Sequence, residues 1–463
     1  MSQTTQPSTR MSASERVADW YSKYFPDALL FALILTVIAM GLALVFTDAG
    51  PGGVMDAWFE GFPMLFTFAF QLAFTYAAAL VLVDTPKVQQ GITWLARKVR
   101  TPQAAYVATG VLGALTSFVG WYIGPVVTAI FARAVAKEMK DVDYRLISAI
   151  AYSSFVISLT GLSGTIPLFV ASEGPLTETI GGLIGLKDTT FSVMNLVSAA
   201  TIVIATTVAF YFVARSKTEV VSFADLAVGS NTATAEAGNE ATENSNGERT
   251  FAEKVNGNRL PLLVIGLLGL GYLLYYFWQK GLAGLDLNTV AFIALVIGFL
   301  MQKNAVEYAA SFARNLVSTG SIMLQFPIYG GIASIFAVTG LAGVLANGLV
   351  SISTPGTFLT ITFLITGLLN LFVPSAGSQF TATAPFFLPA GESLGVDNTL
   401  TIMAITYGDI WTNLVQPFWA LLYFPILAAG TKLKVRDFMG YCLPILIVVG
   451  IIWILALNFL PIR

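Results

Sequence analysis

The chain has 463 residues, 56% of them hydrophobic and 11% charged, with a formal charge of −2. Soluble domains carry roughly 25% charged residues, so this composition excludes a soluble enzyme, a nucleic-acid binder and a disordered scaffold. One cysteine, Cys442, and no histidine exclude an intrachain disulfide, His- or Cys-based zinc sites, His-ligated haem and a Ser–His dyad.

Residues 1–27 form a polar N-terminal segment without the apolar core of a signal peptide. A spanning helix needs about 20 mostly apolar residues. In chain order the candidates are 28–47, 63–84, 145–170, 190–213, 259–279, 286–302, 315–338, 399–428 and 438–460. The segments 48–62 and 85–102 read as loops. Two further apolar stretches, 103–137 and 357–391, are too long for one straight crossing and break in the middle. The first contains Gly120-Trp121-Tyr122-Ile123-Gly124-Pro125 and the second Pro374-Ser375-Ala376-Gly377-Ser378.

Charge sorts these segments, because cytoplasmic loops are rich in Lys and Arg. The 103–137 stretch follows Lys87, Arg97, Lys98 and Arg100 and ends at Arg133, Lys137, Lys140 and Arg145. Both its ends lie on the basic side, as in a hairpin. The 357–391 stretch ends against Glu392 and Asp397, opposite the basic side marked by Lys303, Arg314, Lys432, Lys434 and Arg436. Both stretches are expected to be re-entrant hairpins, whose non-helical tips must be sheltered by protein or line a cavity. The expected fold is an all-α polytopic membrane protein in a lipid bilayer, with nine crossings and two hairpins. The N-terminus lies inside and the C-terminus outside; the single cysteine and basic cytoplasmic side suit a prokaryotic inner membrane.

Residues 216–258 hold seven acids (Glu219, Asp225, Glu236, Glu240, Glu243, Glu248 and Glu253) and a Thr/Ala/Asn/Gly-rich run. They read as a flexible cytoplasmic linker. It separates a first repeat, 28–215, from a lone crossing, 259–279, and a second repeat, 280–463. Phe118-Val119 and Phe372-Val373 are 254 residues apart, as are Gln71 and Gln325; Tyr152 and Tyr407 are 255 apart. The even number of crossings in the first half, followed by the lone crossing, makes the repeat inverted. Inverted repeats with discontinuous helices place a binding site near the membrane midplane.

The polar residues within the spans mark candidate chemistry. Between Leu316 and Thr431 there is no Lys or Arg, and Asp409 is the one acid inside a span. It lies in Tyr407-Gly408-Asp409-Ile410-Trp411-Thr412-Asn413-Leu414-Val415-Gln416-Pro417, where a carboxyl can carry a proton or hold a cation. It can equally bond to a neighbouring helix end. The first-half counterpart is Leu159-Thr160-Gly161-Leu162-Ser163-Gly164-Thr165-Ile166-Pro167. Unwound carbonyls and hydroxyls there can bind Na⁺ or a carboxylate, and small residues also favour close helix packing. A broken helix offers free N–H groups and a positive dipole end to an anion. Pro374, Ser375, Gly377, Ser378 and Gln379 supply this at the second tip. Gly120, Gly124 and Pro125 supply the turn at the first, with Trp121 and Tyr122 as an apolar wall with polar edges. Ser163, Gly164, Thr165, Gln325, Trp411 and Asn413 complete the candidate substrate site, and Asp409, Tyr407, Thr160 and Ser163 the coupling-ion site.

At these residues the chain resembles the short-chain fatty acid transporter family, within a superfamily of inverted-repeat ion carriers. The resemblance runs from Trp20 to the end. It rests on Phe131-Ala132-Arg133, Gln325-Phe326-Pro327, Val373-Pro374-Ser375, Tyr407-Gly408-Asp409-Ile410-Trp411, Gln416-Pro417-Phe418-Trp419-Ala420, Arg436-Asp437 and Met439-Gly440-Tyr441-Cys442. The resemblance implies uptake of butyrate- or acetoacetate-like acids, a homodimeric scaffold and an elevator-type moving domain. It departs at the tips: Gly120-Trp121-Tyr122 stands where the family pattern reads Asn-Trp-Gly, and Gly377-Ser378-Gln379-Phe380 where it reads Gly-Gly-His-Trp. The expected function is secondary transport of short-chain monocarboxylates coupled to H⁺ or Na⁺, with no cofactor. The alternatives are a dicarboxylate carrier and an anion channel. A membrane enzyme lacks paired carboxylates or a His base, and an ATP-driven pump lacks a Walker motif.

Overall fold

The computed structural model describes residues 11–171, 177–217, 219–228, 251–281 and 287–462. Among these the regular structure is helical, apart from one isolated bridge between Ala227 and Thr431. Seven helical segments among the described residues are long and apolar enough to cross a membrane: Ala28–Phe46, Gly50–Val83, Tyr144–Val170, Val193–Ser216, Lys254–Lys280, Gly320–Val338 and Val435–Phe459. Several turn large apolar side chains outward, such as Leu268, Leu274 and Trp278. Water would penalise that surface, whereas lipid accepts it.

The first half begins with α1 (Ala13–Tyr24), α2 (Ala28–Phe46), α3 (Gly50–Gly61), α4 (Phe66–Val83) and α5 (Pro86–Lys98). Then come α6 (Pro102–Val119), α7 (Gly124–Glu138), α8 (Tyr144–Ser153), α9 (Thr165–Val170) and α10 (Val193–Ser216). A lone helix, α11 (Leu260–Lys280), follows. The second half begins with α12 (Leu287–Met301), α13 (Ala305–Leu316), α14 (Gly320–Val338) and α15 (Leu341–Val350). It ends with α16 (Phe358–Asn370), α17 (Ala376–Ser393), α18 (Asn398–Trp411) and α19 (Leu443–Phe459). The element order of α2 to α8 recurs as α12 to α18. Helices α4 and α14 begin at residues 66 and 320, and α8 and α18 at 144 and 398, in both cases 254 residues apart.

The two broken stretches fold as helical hairpins, α6 on α7 and α16 on α17, with tips at 120–123 and 371–375. Thr101 caps α6 from the Ala104 N–H, and Pro102 follows at its first position. At Gly124 an added Cβ would lie 2.0 Å from Ser117 Oγ, so glycine is what lets the two arms of the first hairpin close.

Several expectations need correction. The loops expected at 48–62 and 85–102 are helices α3 and α5. Helix α5 starts on Pro86 and mixes Trp94 and Leu95 with Lys87, Arg97 and Lys98, a surface pattern too polar to register as a span. Helix α3 crosses α14 with backbone contact: a Cβ on Gly61 would meet Gly330 O at 2.5 Å. The crossing 399–428 is not one helix. It is α18, a 3₁₀ turn at Thr412–Leu414 and short helices Pro417–Ala420 and Phe424–Ala428. Pro417 supplies no N–H for a helix continuing from α18. The crossing 145–170 is likewise interrupted by a 3₁₀ segment, Ser154–Thr160, and a non-helical stretch before α9.

The linker also begins later than expected. The Lys217 side chain, within the expected linker, is buried and pairs with buried Asp143 at 2.5 Å. Asp143 also accepts from the Val221 and Leu146 N–H groups, and Lys217 donates to the Tyr441 hydroxyl at 2.9 Å. Residues 219–228 then lie against the body: Tyr144 N donates to Val221 O, Lys432 N to Leu226 O and Val228 N to Gly430 O. Phe223 packs on Tyr144 and beneath Arg133 and Lys137. Residues 229–250 of the expected linker lie outside the described residues.

Removing one member of a buried ion pair costs about 3–5 kcal/mol, because the other charge stays buried and unpaired. Asp143→Asn and Lys217→Met are therefore each expected to lower the thermal unfolding midpoint of the purified protein. The double variant should lower it less than the two singles combined. Single variants as stable as the parent would show that water reaches the pair.

Candidate functional site

The hairpin tips face each other across a cavity of about 810 Å³. Trp121 of the first tip and Pro374 to Ser378 of the second line it, with Thr165 at the start of α9. Phe68 of α4, Phe336 at the end of α14, and Phe418 and Trp419 after the second break close the sides. None of the lining residues is charged. The aromatics support one another: Trp121 lies 5.9 Å from Phe68 and 5.8 Å from Trp419, ring centre to ring centre, and Phe418 stacks on Phe326 at 4.2 Å.

Each tip is built by a break that must dispose of its backbone polar groups. In the first, Ile123 N and Gly124 N both donate to Gly120 O, at 2.9 and 3.0 Å, closing a tight turn. The loop between the 3₁₀ segment and α9 clamps this turn from the side. Leu162 N donates to Phe118 O at 2.8 Å, and Trp121 N donates to Ser163 Oγ at 2.9 Å. Gly161 makes this fit possible, since a Cβ there would lie 2.1 Å from Phe118 O.

In the second tip, Phe372 N and Val373 N turn back onto Leu369 O. Ser375 precedes α17 without capping it; its hydroxyl donates to Ser378 Oγ at 3.2 Å. The first-turn N–H groups of Ala376, Gly377 and Ser378 have no intrahelical acceptor by position, and the cavity lies against these residues. Side-chain amides do the clamping here. Gln416 Nε2 donates to Asn370 O and Leu371 O, both at 3.3 Å, and Gln379 Nε2 to Thr366 O at 2.7 Å. Asn370 Nδ2 donates to Thr412 Oγ1 at 2.9 Å and Asn413 Oδ1 at 2.5 Å. The Tyr152 hydroxyl donates to Asn413 O and Gln416 O.

The fold therefore brings together only part of the expected site. Trp121, Thr165, Pro374, Ser375, Gly377 and Ser378 line the cavity, and Ser163 holds Trp121 in place. Gly120, Tyr122, Gly124 and Gly164 shape the first tip and its clamp without lining the cavity. Gln379 and Asn413 belong to the amide network below the second tip. Trp411 donates from Nε1 to Leu446 O at 2.7 Å and packs on Phe363. Gln325 is buried on α14 beside Phe326, and Gln71 donates to Asn288 Oδ1 at 2.8 Å.

The expected ion residues divide in two. The Tyr407 hydroxyl donates to Asn195 Oδ1 at 3.2 Å, and Asn195 Nδ2 donates to Thr160 O and Thr190 O at 3.0 and 2.8 Å. Thr190 Oγ1 in turn reaches Gly161 O, beside the Ser163 clamp. Asp409 follows two positions after Tyr407 and points away from this network, since i and i+2 on a helix do not share a face. It is buried, and neither carboxylate oxygen has a hydrogen-bond partner. Asn195 and Asn370 were missed from the sequence. The available signal was a lone amide within an apolar run, the same signal that singled out Gln71 and Gln325.

Gly161→Ala is expected to lower the thermal midpoint more than Ser163→Ala. The first forces loop and tip apart; the second removes one hydrogen bond, a net contribution of about 1 kcal/mol. A Gly161→Ala protein as stable as the parent would show that the loop can yield.

A family model described as short chain fatty acid transporter matches residues 9–460. Two relatives are both named "Putative short-chain fatty acid transporter". That of Escherichia coli K12 is 32% identical over 437 residues, covering 94% of this chain and 97% of its own. That of Haemophilus influenzae is 31% identical over 454 residues, covering 96% and 99%. Two solved structures align at 15% identity. One is Neisseria gonorrhoeae MtrF, described with a class of antimetabolite efflux pumps, at a TM-score of 0.40 over 96% of this chain and 97% of that one. The other is the Alcanivorax borkumensis YdaH transporter, at 0.41 over 94% and 98%. Scores at that level do not establish a shared fold. The family match spans nearly the whole chain, and the apolar helices suit an integral membrane protein of that kind. The chain belongs to the short-chain fatty acid transporter family.

Proposed function

We propose that this protein is a secondary transporter of short-chain monocarboxylates, driven by H⁺ or Na⁺. The observation that carries the reading is the cavity between the tips: apolar, without a charged wall, and ending on the uncapped start of α17. An anion is held there by backbone N–H groups, the Ser375 and Ser378 hydroxyls and the helix dipole. Such placement contributes up to about 2 kcal/mol from the dipole in partly buried geometry. Modest anchoring suits a carrier, which must release what it binds. A second carboxylate would find no basic partner in this cavity, which favours monocarboxylates over dicarboxylates.

The driving cation is assigned to Asp409. A lone ionised carboxylate in an apolar interior is costly unless a proton or cation accompanies it. Its arrival and departure would then be tied to the state of the neighbouring second hairpin. The hairpins are taken as re-entrant, the two halves as an inverted repeat within nine crossings, and the moving domain as an elevator in a homodimer. The repeated element order supports the repeat, and the helical hairpins support the first assignment.

Purified protein in liposomes is expected to accumulate labelled butyrate under a Na⁺ gradient or a pH gradient, but not without one. Asp409→Asn should lower gradient-driven uptake about tenfold or more, as expected when an intramembrane acid carries the coupling. Coupled uptake unchanged by Asp409→Asn would remove that role. No uptake under either gradient, from folded protein, would overturn the substrate assignment.

A further inference from the structure

The cavity is longer than a short-chain acid. Its α17 wall carries Ser378, Ala382 and Phe386, at i, i+4 and i+8, flanked by Gly377 and Thr381. Residues at this spacing stack along one helix face. From Gly377 to Phe386 they climb about 13 Å, at 1.5 Å per residue. The wall changes character on the way. Hydroxyls of Ser375, Ser378 and Thr381 crowd the tip end, and Ala382 and Phe386 follow. Phe386 is backed by α15, where a Cβ on Gly343 would lie 2.4 Å from its ring. Glycine at 343 therefore lets the ring sit between the two helices.

A four-carbon acid, with bonds of about 1.5 Å, extends roughly 5 Å from carboxylate to methyl. Anchored at the start of α17, its tail would end about one turn along, near Thr381. The apolar half of the wall would remain unfilled.

We propose that this cavity takes monocarboxylates with a longer apolar tail, medium-chain fatty acids and phenylalkanoates, in preference to butyrate. The inference rests on the carrier reading only for the position of the carboxylate, at the tip of α17. The tail runs along Thr381 and Ala382 towards Phe386, which sets its far limit.

The test is inhibition of labelled butyrate uptake in proteoliposomes by acetate, butyrate, hexanoate, octanoate and 3-phenylpropionate. Each buried methylene should strengthen inhibition about three- to fourfold, with octanoate and 3-phenylpropionate far ahead of butyrate. Inhibition that is flat or weaker beyond four carbons would overturn the proposal. In Ala382→Phe the added ring fills the tail path, so the ratio of octanoate to butyrate inhibition should collapse towards one. A ratio like that of the parent would overturn the placement along α17. Binding of 3-phenylpropionate is read independently from the fluorescence of Trp121 and Trp419, which line the cavity. Saturable quenching without butyrate uptake would sink the short-chain reading and leave this one standing. Butyrate uptake with flat inhibition and no quenching would do the reverse.

Discussion

A helix broken inside an apolar body releases backbone N–H and C=O groups that neither lipid nor hydrocarbon side chains can satisfy. Among the described residues, four such breaks lie at 120–123, 161–164, 371–375 and 412–416, and the neighbouring structure answers most of their polar groups. Each hairpin tip is met by the break that follows it in sequence. The partners left over by one break become the clamp on the other. The starts of α9 and α17 carry no side-chain cap, and both border the cavity.

The two halves solve this problem with different chemistry. In the first, backbone groups and the Ser163 hydroxyl close the clamp, with Gly161 making room. In the second, Asn370, Asn413, Gln416 and Gln379 do it with side-chain amides, and Asn370 Oδ1, Gln379 Oε1 and Gln416 Oε1 keep no partner. Asp409 lies in this half too. A related element order has therefore been given unequal polar capacity. The first tip is closely packed against its clamp, and the second keeps unpartnered amide oxygens near the start of α17.

A second set of contacts holds the end of α10 and the start of the following segment against the body. The Asp143–Lys217 pair is buried, and the charges are tolerated because Tyr441, Val221 and Leu146 complete their hydrogen bonds. Residues 219–228 bridge the first hairpin, through Arg133 and Lys137 over Phe223, to the 427–432 turn of the second half. The polar composition of 216–258 concealed this, because an acidic, Ser- and Ala-containing stretch reads alike whether solvated or docked.

Sequence alone determined the apolar helical class, the position of the two breaks, the 254-residue offset and the family, because each is written in local hydropathy, breakers or motif residues. It also singled out Trp121, Pro374, Ser375, Gly377 and Ser378, which line the cavity, since a proline- or glycine-broken apolar run marks a tip wherever it lies. Only the tertiary structure decided which polar residues meet. Trp411 and Asn413 stand in the same motif as Asp409 yet serve packing and the amide clamp, because neighbouring positions on a helix point in different directions. Asn195 joins Tyr407 to Thr160 from more than 200 residues away from Tyr407, a pairing no spacing rule encodes. The α5 helix was hidden because an amphipathic surface segment is too polar to read as a span; α3 was hidden because its glycines and acids read as a loop, although it packs directly on α14. The length of the cavity was hidden as well, because it depends on how α15 packs against α17, and that distance exists only once the chain has folded.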